Sequence, residues 1–163
     1  MPLITLQTKI KAPIERVFDL SRSIDLHLKS AGDTDEKAID GRTSGLLQAG
    51  ETVTWEGSHL GFKQSLKVKI SNLERPQSFT DEMLSGAFAR MKHLHRFEKS
   101  AESTLMTDEF NYKSRGGPIG WLLESSYLTA YLRRFLAERN KVIKRVAESN
   151  EWKEYLKDEP LRD

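Results

Sequence analysis

From Leu3 to Ile10 β-branched and polar residues alternate, and the run stops at Lys11-Ala12-Pro13. This is the pattern of a strand handing over to a helix with proline in its first turn. Ile14, Val17, Phe18 and Leu20 continue that helix, and a second short one is predicted over Ile24 to Ser30, ended by Gly32. Period-two alternation then takes over. It predicts strands over Thr52 to His59, Phe62 to Asn72, Ser78 to Leu84, Phe88 to Glu98 and Thr104 to Lys113, with a short polar one over Glu36 to Asp40. The joins at Leu60-Gly61, Glu74-Arg75-Pro76-Gln77, Ser85-Gly86 and Lys99 to Ser103 have hairpin lengths, so the strands form an antiparallel meander. Beyond Ser114-Arg115-Gly116-Gly117-Pro118 the period lengthens to 3.6. Trp121, Leu128, Leu132, Phe135, Val142, Ile143 and Val146 share one face of a helix predicted from about Ile119 to Ser149. At 1.5 Å per residue it reaches about 45 Å, against about 33 Å for a ten-residue strand, so it can lie across the whole sheet. The fold class is α+β.

A chain of 163 residues supports one core without staples, and it contains no cysteine. One domain is expected over residues 1–149, followed by a polar tail over residues 150–163 whose end, near Pro160, is expected to be disordered. Without cysteine there is no disulfide framework, thiolate nucleophile, Cys-type zinc site or iron–sulfur ligation, which suits a reducing cytoplasm. The N-terminus lacks a basic-then-apolar leader, and no apolar run approaches the ~20 residues of a spanning helix, so neither secretion nor membrane insertion is expected. The 26 basic and 24 acidic side chains are spread along the chain, leaving no phosphate-binding footprint and no expectation of a nucleic-acid partner. Walker, dinucleotide, nucleophile-elbow and His-Glu-x-x-His patterns are missing, so no cofactor is expected.

Alternation also assigns faces. Phe62, Gln64, Leu66, Val68 and Ile70 oppose Lys63, Ser65, Lys67 and Lys69, and so point inward. Val53, Trp55 and His59 do so on the preceding strand, although His59, beside a turn, is expected to be exposed. Phe79, Asp81 and Met83 follow, then Met91, His93, His95 and Phe97, then Met106, Asp108, Phe110 and Tyr112. The hairpin joins set Asp108 opposite His93 or His95, and Asp81 opposite one of the same histidines. Arg139 falls near the middle of the apolar arc of the long helix and therefore points at the sheet, where a charge must be paired or wet.

Three readings of this row are open. It can be a structural polar network that fixes how the helix docks. It can be the polar floor of an otherwise apolar ligand cavity. His93, His95 and Asp108 also have the composition of a two-histidine, one-carboxylate iron or zinc set, but Arg139 can satisfy the acids and no metal is expected. His27, on the second short helix, is expected to be solvated or to serve the helix end, and Trp55 and Tyr112 to be core or cavity wall.

The order strand, two short helices, meander, long C-terminal helix resembles the helix-grip fold of the SRPBCC superfamily, which includes START lipid-transfer domains, polyketide cyclases and birch-pollen allergen proteins. Ile10 to Phe18 is similar to that family's opening strand-to-helix join. Gly50-Glu51-Thr52-Val53-Thr54-Trp55 carries the resemblance further. His93-Leu94-His95-Arg96-Phe97, with Thr104 to Asp108, Pro118-Ile119-Gly120 and Arg139, resembles a bacterial ligand-binding subgroup. Many members of that subgroup carry an aromatic residue where this chain has Met91. The resemblance covers about residues 3 to 147. It implies a deep, mainly apolar cavity between the curved sheet and the long helix, holding a lipid, polyketide or aromatic molecule.

On this basis the first expectation is a non-catalytic binder. Leu66, Val68, Met83, Phe97, Phe110, Leu128, Leu132 and Phe135 form its wall, and His93, His95, Asp108 and Arg139 orient the polar end of the ligand. A second is a cyclase- or dehydratase-type enzyme in which His95, held by Asp108, moves a proton while Arg139 or Gln64 stabilises an enolate. A third is a protein-interaction module with a vestigial cavity.

Overall fold

The computed structural model describes residues 2–116 and 127–157. Its frame is a seven-stranded, fully antiparallel curved sheet: β1 (Leu3–Ile10), β2 (Lys37–Gly41), β3 (Thr52–His59), β4 (Phe62–Glu74), β5 (Ser78–Gly86), β6 (Arg90–Ser100) and β7 (Ser103–Lys113). The spatial order is β1-β7-β6-β5-β4-β3-β2, so a meander runs from β2 to β7 and β1 closes the far edge beside β7. Between β1 and β2 lie α1 (Ile14–Ser21), α2 (Ile24–Ser30) and one 3₁₀ turn (Gly32–Thr34). A long helix, α3 (Tyr127–Glu148), and a single turn, α4 (Trp152–Tyr155), complete the described chain. This is the helix-grip fold.

The local reasons are mostly those the sequence predicts. Pro13 sits at the N-cap of α1, where its missing N–H costs no helical bond. The Ser23 side chain accepts from the Leu26 N–H and starts α2. Strand alternation holds on β6, where Met91, His93, His95 and Phe97 are buried between exposed or half-buried neighbours. β4 departs from it. Register shifts at Lys67/Val68 and Ile70/Asn72 bring Leu73 opposite Phe79, so the inward set does not run unbroken along the strand. Phe62, expected to face inward, is 71% exposed at the hairpin end. Gly86 has φ +144°, and a Cβ there would stand 2.6 Å from the Ser65 carbonyl oxygen. Only glycine allows the two backbones to approach so closely.

Phe18 of α1 meets Phe79 and Phe97 edge-on, at ring separations of 5.5 and 5.3 Å, which ties the short helices to the sheet. Beside them Asp19 bridges two arginines, Arg22 at 2.8 Å and Arg75 at 2.7 Å, while Arg22 also donates to the Leu47 carbonyl. The long helix buries Leu136, Arg139, Asn140, Ile143, Val146 and Ala147. Its predicted first turns, with Trp121, lie outside the described residues, as does the end of the tail. Within residues 150–157, Trp152, Tyr155 and Leu156 pack against the core, and the Arg16 guanidinium covers the Trp152 ring at 4.3 Å. Among the described residues no helix is long and apolar enough to cross a membrane.

Candidate functional site

A cavity of about 340 Å³ separates the inner face of the sheet from α3. Its wall is largely apolar or aromatic: Trp55, Leu66, Val68, Phe79, Met91 and Phe110 from the sheet, with Leu128, Leu132 and Phe135 from the helix. Asp81 and His93 contribute polar surface from the sheet, Gln64 stands on β4, and Arg139 faces them from the helix.

Backbone register pairs Asp81 with His93 and His95 with Asp108. The side chains connect along this register and diagonally across it. His95 Nε2 lies 3.2 Å from Asp81 Oδ2, and His95 Nδ1 lies 2.8 Å from Asp108 Oδ1. His93 Nε2 is 2.9 Å from the same Asp108 oxygen, and Asn140 donates to Asp108 Oδ2 at 2.6 Å. Arg139 donates through Nη2 to the Ser21 carbonyl at 2.8 Å, and its Nη1 is 3.9 Å from Asp108 Oδ1. Asp108 and His95 are fully buried, so they form a hidden layer behind His93 and Asp81.

This geometry sets the protonation. A carboxylate only accepts, so each histidine nitrogen facing one must carry a proton. His95 lies between two carboxylates, bonded to Asp81 through Nε2 and with Nδ1 close to Asp108, a setting that favours its imidazolium form. Burial alone would lower its pKa, and the bonds to Asp108 and Asp81 raise it. His93 donates Nε2–H to Asp108. Burial first, and the charge on His95 second, push its pKa down to about 4, so at neutral pH it is an imidazole with a bare Nδ1. Burial would raise Asp108, but hydrogen bonds from His93 and His95 hold it well below the usual carboxylate range. Asp81 is likewise lowered against its burial by His95.

These shifts predict a stability optimum. His93 binds a proton more readily unfolded than folded. Its contribution is thus present above the usual 6.5 and is lost as pH falls toward about 4. With one pK unit worth 1.36 kcal/mol, that acid limb amounts to about 3 kcal/mol. His95, raised, contributes fully below 6.5 and loses that contribution as pH rises through its folded value. The two aspartates add a further loss below their usual 3.8. Urea unfolding at about pH 4.5, 6.5 and 8.5 should give the highest stability at the middle value. A steady rise across all three would contradict the assignment.

A second polar group lines the wall away from the floor. His27 Nε2 contacts Glu36 Oε2 at 3.2 Å while its ring stacks on Trp55 at 4.1 Å. Burial would raise the Glu36 pKa, and the bond to His27 lowers it. His59 Nδ1 meets the Tyr131 hydroxyl at 2.8 Å, with Phe135 edge-on at 5.4 Å. His59 is therefore half-buried in the cavity wall rather than exposed. Its side chain reaches across to α3 because the hairpin ends under the helix. His27 likewise turns toward the sheet, where Trp55 of β3 and Glu36, just before β2, hold it.

Of the residues expected at the site, Trp55, Gln64, Asp81, Met91, His93, Phe110, Leu132, Phe135 and Arg139 border the cavity. Met83, His95, Asp108 and Tyr112 do not. Met83 sits opposite Val68, past a register shift, and Tyr112 is fully buried with its hydroxyl 2.7 Å from Thr129 Oγ1. Phe97, expected in the wall, belongs instead to the aromatic core with Phe18 and Phe79. Of the two imidazoles of β6, His93 borders the cavity and His95 lies behind it. Asn140 escapes sequence reasoning, although its spacing from Leu136 and Ile143 puts it on the apolar arc and marks it as a polar exception. Asp81, His93 and His95 offer three potential metal-ligand atoms within 4.8 Å of one another, whereas Asp108 is taken up by both histidines and Asn140.

The class that fold and site define is the helix-grip fold, with a cavity under the long helix. No protein-family model and no curated sequence matches the chain. Solved structures do match. TTHA0849 from Thermus thermophilus superposes with a TM-score of 0.70 at 15% identity, over 90% of this chain and 99% of that one. Major latex-like protein 151 from Panax ginseng gives 0.63 at 17% identity, over 91% and 98%. Ms6760 from Mycobacterium smegmatis gives 0.65 at 17% identity, over 88% and 89%. Identities this low establish a shared fold.

Proposed function

We propose that the protein binds a small hydrophobic or amphipathic molecule of lipid, polyketide or aromatic type in the cavity beneath α3, inside the cytoplasm and without a cofactor. The observation that carries this reading is the cavity itself: about 340 Å³ of mainly apolar wall on which a few buried polar groups converge. A vestigial cavity in an interaction module would be filled by side chains, and this one is not. An enzymatic use of the same space, of cyclase or dehydratase type, would rest on His93, whose bare Nδ1 is set by the bond from its Nε2 to Asp108.

Gentle purification followed by native mass spectrometry should detect a co-purifying apolar molecule, and a lipid and aromatic panel should raise the melting temperature. Replacing Leu128 and Leu132 together by tryptophan puts two indoles into the ligand space. Affinity for any panel hit should then fall at least about tenfold, about 1.4 kcal/mol, with the fold kept. A panel that produces no shift, together with an empty mass spectrum, rejects the proposal.

A further inference from the structure

We infer that the molecule this cavity takes is electrically neutral and carries a hydroxyl-type donor near a carbonyl-type acceptor on an apolar body, as in a hydroxy ester or a hydroxylated ketone. The inference rests on the ligand-binding reading above and specifies the polar end of the ligand.

Two groups at the cavity floor have unfilled hydrogen-bonding capacity. Arg139 is 6% exposed, and with Nη2 committed to the Ser21 carbonyl its Nη1 has no hydrogen-bond partner among the described residues. Asp81 accepts from His95 through Oδ2, while its Oδ1 is buried without a partner among the described residues. One is a donor that never accepts, the other an acceptor that never donates. They form no ion pair with each other, and both border the cavity. An occupant that satisfies both must bring an acceptor to Arg139 and a donor to Asp81. His93 adds a second acceptor, because its Nε2–H is spent on Asp108 and leaves Nδ1 bare.

The charges of the floor are already balanced. Two carboxylates, Asp81 and Asp108, face two cations, Arg139 and a His95 whose place between both carboxylates favours its charged form. Arg22 also borders the cavity, but its guanidinium is spent on Asp19 and on the Leu47 carbonyl. Glu36 on the wall adds a carboxylate already bonded to His27. A carboxylate or phosphate head group would bring uncompensated negative charge into a mainly apolar space, and an amine uncompensated positive charge. A neutral hydroxy-carbonyl group fills the open valences without disturbing the balance.

Matched probes test this by calorimetry and thermal shift. On an aliphatic frame they are methyl 3-hydroxydecanoate, methyl decanoate, 3-hydroxydecanoate and decylamine. On an aromatic frame they are 6-acetyl-2-naphthol, 2-acetylnaphthalene and 6-hydroxy-2-naphthoate. On whichever frame binds, the neutral hydroxy-carbonyl compound should bind at least about fivefold more tightly than the acceptor-only compound. It should bind at least about tenfold more tightly than the charged ones. In Asp81→Asn, where an amide replaces the acceptor-only carboxylate, the penalty against the carboxylate probe should shrink to within about threefold. The wild-type series decides the matter even if that variant fails to fold. Equal binding of all probes on a frame, or tightest binding of a charged one, overturns the inference and leaves the ligand-binding reading standing. No binding on either frame overturns both.

Discussion

Replacing Asp108 by asparagine should lower the unfolding free energy by about 3–5 kcal/mol, the range seen when one partner of a buried ion pair is removed. Asp108 is fully buried and touches four groups: His93, His95, Asn140 and, at longer range, Arg139. The amide has the same shape but carries no charge, and its NH₂ end would face a donor whichever way it turns. His95 would keep only the Asp81 half of its charge compensation. Urea denaturation of the variant beside wild type measures the loss. A value under about 1 kcal/mol would mean that the four contacts do not act as a unit. The optimum near pH 6.5 should flatten in the same variant, because the bonds that hold His95 protonated are halved.

Phe79→Ala should cost a similar amount, about 3–5 kcal/mol, for an unrelated reason. Phe79 is 1% exposed and meets Phe18 edge-on at 5.5 Å. It also stacks on the His95 ring at 4.2 Å with an interplanar angle of 21° and lines the cavity. Its removal takes away an aromatic wall and exposes the imidazolium of the hidden layer to the cavity. Thermal and urea unfolding report the stability loss. If the loss fell below about 1.5 kcal/mol, the aromatic trio would not be the hinge between helices and sheet. The double variant with Asp108→Asn should lose less than the sum of the two, since both act through His95.

The inward identity of Asp81, His93, His95 and Asp108 was legible in the sequence because period-two alternation is a property of the pleat and needs no tertiary information. Arg139 was legible in the same way from a helical period of 3.6. What the pattern could not reach was depth. Alternation gives a side, not a layer, so it could not separate His93, which borders the cavity, from His95, which is sealed behind it. Nor could it place contacts between elements far apart in the chain. His59 with Tyr131 and Asp108 with Asn140 join the sheet to α3 across long stretches of sequence. The slip on β4 has a local cause. An extra residue at Ile70/Asn72 switches faces, where the consecutive polar pair Ser71-Asn72 interrupts the alternation of apolar residues and lysines before it. The fold class survives such errors because it depends on element order and length.

The diagonal pairing of the floor also bears on how the chain finds its register. A strand displaced by one residue would turn its apolar side chains outward and be penalised at once. Displacement by two residues keeps every side chain on its proper face, so burial alone scarcely distinguishes it from the native arrangement. Here such a shift of β6 against β5 and β7 would move one imidazole into the other's place and carry the second out of reach, leaving Asp81 and Asp108 with a single histidine between them. The acidic pair and the two histidines therefore act as index marks across β5, β6 and β7. They give the sheet a reason to prefer one alignment over its closest decoy, independently of whatever the cavity holds.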